Sequence, residues 1–79
     1  MTHYHVKAVW DDEALVWVAT SDDVPGLVTE AETIPALMKK LQTLIPELLE
    51  ANNVPMDDSP DIPFELNATM MEHAHRAAR

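Results

Sequence analysis

One long amphipathic helix, predicted in the middle of the chain, constrains the fold most strongly. Thr33 is a suitable N-cap, and Pro35 fits the first turn, where its missing N–H costs nothing. Asn52-Asn53 suits the carboxyl end, and Pro46 predicts a kink or a break inside the helix. Such a helix must pack on other elements through its apolar stripe. The stripe consists of Ile34, Leu37, Met38, Leu41, Leu44, Ile45, Leu48 and Leu49.

Shorter stretches on both sides of this helix predict strands. Residues 4–10, 15–20 and 27–31 precede the helix, and residues 62–70 follow it with a clear alternation of apolar and polar side chains. The predicted order is β-β-β-α-β, an α+β domain. It has a three-stranded antiparallel meander, a fourth strand and one helix on the sheet. The sequence does not decide which face of the sheet the helix covers.

The second predicted strand is apolar on both faces, since Val16 and Val18 point to one side and Trp17 and Ala19 to the other. Such a strand is either covered on both sides or has one face that awaits a partner. A core built from so few residues seldom supplies more than about 3–5 kcal/mol. The lack of cysteine excludes disulfides and thiolate metal sites. We therefore expect a homodimer or higher homo-oligomer, with Val16, Val18 and Trp17 at the interface.

The charge balance excludes several classes of partner. Fourteen acidic residues against five Lys or Arg give a net charge of −9, which opposes binding to phosphates. We expect no direct contact with nucleic acid or membrane, and a basic protein as partner. A role of the acidity in solubility alone is an equal alternative. No apolar run approaches the roughly 18 residues of a membrane span, and the amino terminus does not resemble a signal peptide. We expect one cytoplasmic domain over residues 1–79, with a frayed tail at 72–79.

Acidic side chains collect around the bend that contains the single glycine. Asp22 and Asp23 precede Pro25-Gly26, and Glu30 and Glu32 lie just before the helix, where its dipole favours them. We predict that these four carboxylates meet Lys or Arg side chains of a protein partner. The ordinary alternative is that the aspartates only cap the turn and the glutamates only favour the helix start.

Catalytic and metal sites have weaker support in the sequence. Ribonuclease-H-type catalysis needs several carboxylates around two metals, and residues 5–9 in the middle of the first strand contain none. Ser21 has no neighbouring His or Lys to activate it. The histidines form two His-x-His pairs, His3/His5 and His73/His75, whose spacing suits weak metal binding but is more typical of solvent-exposed chain ends. We predict a protein that is not an enzyme, with no cofactor and no metal site.

The element order and two motifs resemble the HicB-like family. The turn D-x-P-G-L at Asp23–Leu27 closes one strand and opens the next. The segment V-W-V-A-T-S-D-D-V-P-G-L-V-T-E-A-E-T feeds a helix that ends L-I-P-E-L-L-E-A-N. The similarity runs from about residue 6 to residue 66. The helix with Pro46 looks more closely like a short, uncharacterised-domain branch of that superfamily.

The resemblance implies a partial ribonuclease-H-like fold without working chemistry. It also implies an antitoxin that binds a small, basic ribonuclease toxin of the HicA type and masks its catalytic surface. Full-length members commonly add a helix-turn-helix or ribbon-helix-helix module, and the residues after the fourth predicted strand are too few for one. The sequence therefore predicts no DNA-binding module in this chain and does not decide whether it takes part in transcriptional autoregulation. Two alternatives stay open, a metal-dependent ribonuclease-H-like nuclease and an orphan interaction protein whose partner is not a toxin.

Overall fold

The computed structural model describes residues 3–56 and 58–77. Its elements follow the predicted order, and the α+β class is confirmed. The elements are β1 Tyr4–Asp11, β2 Val16–Thr20, β3 Val28–Ala31, α1 Ile34–Ala51 and β4 Phe64–Thr69. The four strands form one mixed sheet in the order β3-β2-β1-β4, in which β1 is antiparallel to β2 and parallel to β4.

Local hydrogen bonds fix both ends of α1. Thr33 Oγ1 accepts a hydrogen bond from the Ala36 backbone N–H at 3.2 Å, as expected for an N-cap. At the other end, the Asn52 backbone N–H and side-chain Nδ2 donate to the Leu48 carbonyl at 3.0 and 2.8 Å. Asn53 then adopts a positive φ of 54°. These contacts satisfy groups that a helix leaves without internal partners, so the helix ends where the sequence predicts.

Pro46 does not interrupt α1, which continues through it to Ala51. Of the two outcomes expected at this residue, a break does not occur. Ile45 and Leu49 on either side are fully buried, and burying side chains of this size contributes roughly 1.5–3 kcal/mol each. Packing therefore offsets the ~3 kcal/mol that a proline typically costs in a helix interior.

The helix covers the sheet face on which two alanines lie opposite each other. Ala8 and Ala19 are cross-strand partners and are fully buried, together with Val6 on the same side of β1. Alanine at these positions leaves room for the helix to lie close to the sheet. Buried helix residues complete this core on the other side: Leu37, Leu41, Ile45 and Leu49.

The opposite face, which we call the open face, carries Val9, Val16, Val18 and Val28 on three adjacent strands. Val9 and Val18 are direct cross-strand partners. The side chains of Val9 and Val28 are 51% and 70% exposed, although both are large and apolar. The sheet is thus half-covered, with its helix on one side only.

Residues 70–77 follow β4 without forming a helix or strand, and all of them are exposed. The predicted frayed tail includes residues 78 and 79, which lie outside the described residues. None of the helices in the described residues combines the length and the hydropathy that a bilayer crossing requires.

Candidate functional site

The acidic bend after β2 is fastened to β1 through Ser21 and Asp23. The Ser21 hydroxyl donates to the His5 carbonyl and accepts the backbone N–H groups of Asp23 and Val24 at 3.1 and 3.2 Å. The Asp23 carboxylate accepts the His5 backbone N–H at 2.8 Å and the His5 ring Nδ1 at 3.0 Å. Gly26 completes the bend with a φ of +78°, which other residues adopt with strain. Hydrogen bonds therefore hold the bend in a defined position against β1.

The pKa of the Asp23 carboxyl lies below its ordinary value of 3.8. The main cause is the hydrogen bond from the His5 backbone N–H, and the second is the bond from the His5 ring. Both bonds favour the charged carboxylate over the neutral acid. Asp23 is therefore ionised at neutral pH and holds the bend against β1.

Acidification is expected to destabilise the wild type more steeply than the variant Asp23→Asn. A carboxyl group with a lowered folded-state pKa stabilises the fold above its unfolded-state pKa, and this contribution is lost as pH falls through the folded-state pKa. The difference should therefore appear below about pH 4 in thermal melts followed by circular dichroism. Asp22→Asn is the matched control and should keep the wild-type slope. Equal slopes for all three proteins would contradict this role of Asp23.

The four acids predicted to meet a partner do not form one cluster. Thr20 pairs with Val28 and Val18 pairs with Glu30, which fixes the direction of β3 beside β2. Asp22 and Asp23 consequently lie beyond one end of the sheet, whereas Glu32 lies beyond the opposite end of β3. The Glu30 side chain is exposed on the open face next to Val18, and its backbone carbonyl accepts a hydrogen bond from Lys40 Nζ. The four acids thus lie at the two ends of the sheet and, for Glu30, on the open face itself.

The three residues predicted at an oligomer interface are also divided between two faces. Val16 and Val18 lie on the open face and are half-buried. Trp17 lies on the helix-covered side and packs against the core. Its ring makes an edge-to-face contact with Trp10, with centroids 5.4 Å apart. A single flat interface on the open face would therefore include the valines and not the tryptophan.

Parallel pairing of β1 with β4 brings Glu65 beside the first histidine pair. His5 and Glu65 are cross-strand partners. Glu65 Oε1 lies 3.1 Å from His3 Nε2 and 3.7 Å from His5 Nε2. The spacing of His3 and His5 is visible in the sequence, but Glu65 lies 62 residues after His3. Only the register of β4 reveals it. His73 and His75 lie beyond β4 in the exposed segment.

Hydrogen bonds hold the Glu65 carboxyl group in its charged form. Its pKa lies below the ordinary 4.5, first because Asn67 Nδ2 donates to Oε2 at 3.0 Å and second because His3 bonds to Oε1. This carboxylate and that of Asp23 approach the His5 ring from its two nitrogens. Two imidazoles and an anionic carboxylate are a ligand set that suits a divalent metal.

Comparison with known proteins gives a family and a similar structure. The model of a family described as "Domain of unknown function (DUF1902)" matches residues 3–76. The crystal structure of hypothetical protein TTHA1013 from the extremely thermophilic bacterium Thermus thermophilus is 45% identical to this chain, with a TM-score of 0.71. That similarity covers 95% of this chain and 100% of the other. No curated protein matches this chain. The chain therefore belongs to the DUF1902 family.

Proposed function

We propose that this protein is a HicB-like antitoxin, or a binding module derived from one. In this proposal it binds a small, basic ribonuclease toxin of the HicA type in the cytoplasm and masks the toxin's catalytic surface without any turnover. The observation that carries the proposal is the open face, where exposed valines adjoin Glu30 in a chain of net charge −9. An uncovered apolar patch with an acidic border is typical of a surface that binds a basic protein.

The valines and the acids have different roles in this binding. Val9, Val18 and Val28 supply apolar area that loses water on contact, which gives the interface its core. Glu30 beside them pairs with a Lys or Arg of the partner. The exposed carboxylates at the ends of the sheet mainly speed the encounter, since charges at a rim raise the association rate more than the affinity.

Asp23 contributes less to partner binding than the other acids. One of its carboxylate oxygens already accepts two hydrogen bonds from His5, so its charge is partly used inside the fold. Asp22, directly before it, is exposed on the same bend. The partner-binding set is therefore Asp22, Glu30 and Glu32, with Asp23 holding the bend in place.

Self-association is expected to use the same valines. A second copy that covers Val16 and Val18 would exclude the basic partner from the open face, so the two assemblies are alternatives. Sedimentation velocity at micromolar concentration should show a dimer or higher oligomer of the isolated chain, and Val18→Arg should shift it to the monomer. A wild type that sediments as an 8.9 kDa monomer would contradict this expectation.

Co-purification of the native complex tests the proposed function. The expected partner is a short basic protein that cleaves RNA alone and loses this activity with one equivalent of our chain. The complex should dissociate as salt is raised, because charge pairs at a rim are screened. Co-purification of an acidic protein, or of a basic one whose RNA cleavage persists at saturation, would overturn the proposal.

The rival nuclease function predicts a different result from the purified protein. Incubation of RNA with Mg²⁺ or Mn²⁺ should leave the RNA intact if the protein only binds. Cleavage by the wild type that is lost in the double variant Asp22→Asn/Asp23→Asn would establish the nuclease instead. This assay also detects contaminating ribonuclease, because contamination would persist in the variant.

A further inference from the structure

We propose that His3, His5 and Glu65 form a binding site for a divalent transition metal, with Zn²⁺ as the representative ion. The site lies at the edge of the open face, because His5 and Glu65 are cross-strand partners on the same side of the sheet as Val9, and its metal binding does not depend on the proposed antitoxin role. It joins the amino-terminal end of β1 to the edge strand β4. Two imidazole nitrogens and one carboxylate oxygen supply three ligands, and the solvent-exposed fourth position remains for water or a ligand from a bound molecule.

The distances from the Glu65 carboxylate to the two imidazoles are close to those that a zinc ion requires. Zn–N and Zn–O bonds of about 2.0–2.1 Å in a tetrahedron place neighbouring ligand atoms about 3.3 Å apart. Glu65 Oε1 lies 3.1 Å from His3 Nε2 and 3.7 Å from His5 Nε2, on either side of that value. One ligand atom from each of the three residues can be chosen so that all lie within 4.8 Å of one another. All three side chains are exposed, and completing a tetrahedral site requires only that they rotate about their own bonds.

Neighbouring side chains orient two of the three ligands. Asp23 Oδ2 lies 3.0 Å from His5 Nδ1, so an ionised Asp23 holds the ring proton on that nitrogen and leaves the Nε2 lone pair toward Glu65. Asn67 donates to Glu65 Oε2, which leaves Oε1 for the metal. A carboxylate behind a histidine ligand is the usual arrangement at zinc sites, where it fixes the tautomer and strengthens the ligand.

The local charge also favours a cation. Asp23 and Glu65 bring two negative charges to the two histidine rings, whose centroids are 4.7 Å apart. Lys7 lies on the same face and lines a cleft with His5 and Asp23, and the two carboxylates outnumber this one cation. A divalent ion would neutralise this pair of carboxylates.

Such an ion would connect positions that are far apart in the chain. His3 and Glu65 are 62 residues apart, and a metal that binds only the folded state stabilises the fold in proportion to its saturation. This is a means by which a small domain without cysteine gains a cross-link. We therefore expect Zn²⁺ to raise the melting temperature of the wild type.

The test uses the full chain without an affinity tag, titrated with Zn²⁺ against a chromophoric chelator and with Co²⁺ by absorption spectroscopy. We expect one equivalent of metal and the visible bands of four-coordinate Co²⁺. His5→Ala and Glu65→Gln should each weaken binding tenfold or more, and Asp23→Asn by about 10–100-fold. Glu65→Gln keeps the size of this exposed side chain, and circular dichroism confirms its fold.

The second histidine pair provides the matched control. His73→Ala/His75→Ala removes a His-x-His of the same spacing and should leave the affinity, the Co²⁺ spectrum and the zinc-dependent melting shift unchanged. Loss of binding in this double variant, or wild-type affinity in Glu65→Gln, would overturn the proposed site. So would a wild type without saturable binding of Zn²⁺ at micromolar concentration.

Discussion

Leu41→Ala is expected to lower the free energy of unfolding by about 2–5 kcal/mol, which would leave much of the protein unfolded at room temperature. Leu41 is fully buried in the middle of the helix stripe that faces the sheet. Its loss would leave a cavity where helix and sheet meet. A domain of this size seldom has more than about 3–5 kcal/mol in total, so one such substitution removes most of its stability.

Urea denaturation followed by tryptophan fluorescence and circular dichroism measures this effect. Leu44→Ala is the matched control, because it makes the same change on the same helix at a half-buried position. We expect the control to lose clearly less stability than Leu41→Ala. Equal losses at both positions would contradict the assignment of the sheet-facing side of α1.

Val18→Arg is expected to weaken the complex with the proposed basic partner by at least about 100-fold, or about 2.7 kcal/mol. Val18 lies at the centre of the open face, between Val9 on one strand and Glu30 on the other. The new guanidinium replaces apolar contact area with a charge of the same sign as the partner. It also pairs with Glu30 and so removes the negative charge that the partner would meet.

The measurement is isothermal titration calorimetry with the co-purified partner, after a thermal melt has shown that the variant is folded. Met71→Arg is the control, since it adds the same charge to a side chain that is 78% exposed beyond β4. It should bind within a few-fold of the wild type. An undiminished affinity of Val18→Arg would place the partner on another surface.

The sequence predicted the helix, the order of the elements along the chain and the fold class because each depends on local periodicity. The apolar stripe of α1 matches the period of a helix and not that of a strand, and the Thr33 cap and the Asn52-Asn53 end mark the limits of the helix. The effect of Pro46 was harder to predict. A local rule gives the cost of the proline, whereas the burial of Ile45 and Leu49 that offsets it exists only in the folded chain.

The hydropathy of β2 alone does not distinguish the covered face of the sheet, although β1 contains a signal for it, since Val6 and Ala8 alternate with the polar residues His5 and Lys7. Ala8 and Ala19 fall on the same side once β1 and β2 pair, and two small residues opposite each other leave space for a helix. The hydrophobicity of β2 concealed this, because its two faces are similarly apolar. The alternation in β1 and the paired alanines together distinguish the covered face from the open one.

The histidine cluster depends on information that local patterns do not contain. His3 lies 62 residues before Glu65 in the chain. The two histidines meet this carboxylate only because β4 pairs with β1 in parallel and in this register. The contact of Asp23 with His5 likewise arises from the path of the bend after β2. Of the four carboxylates that the sequence assigns to a partner surface, Asp23 makes structural contacts within the fold and the other three are exposed.

The most direct test of the central claim is to map the partner onto the folded chain by nuclear magnetic resonance. The ¹⁵N-labelled protein would be titrated with the unlabelled basic partner, and the amide signals followed residue by residue. We predict the largest changes at Val9, Val18 and Glu30 on the open face. Changes confined to the outer side of the helix, at Lys39, Thr43 and Glu47, would contradict the claim that the uncovered sheet face binds the partner.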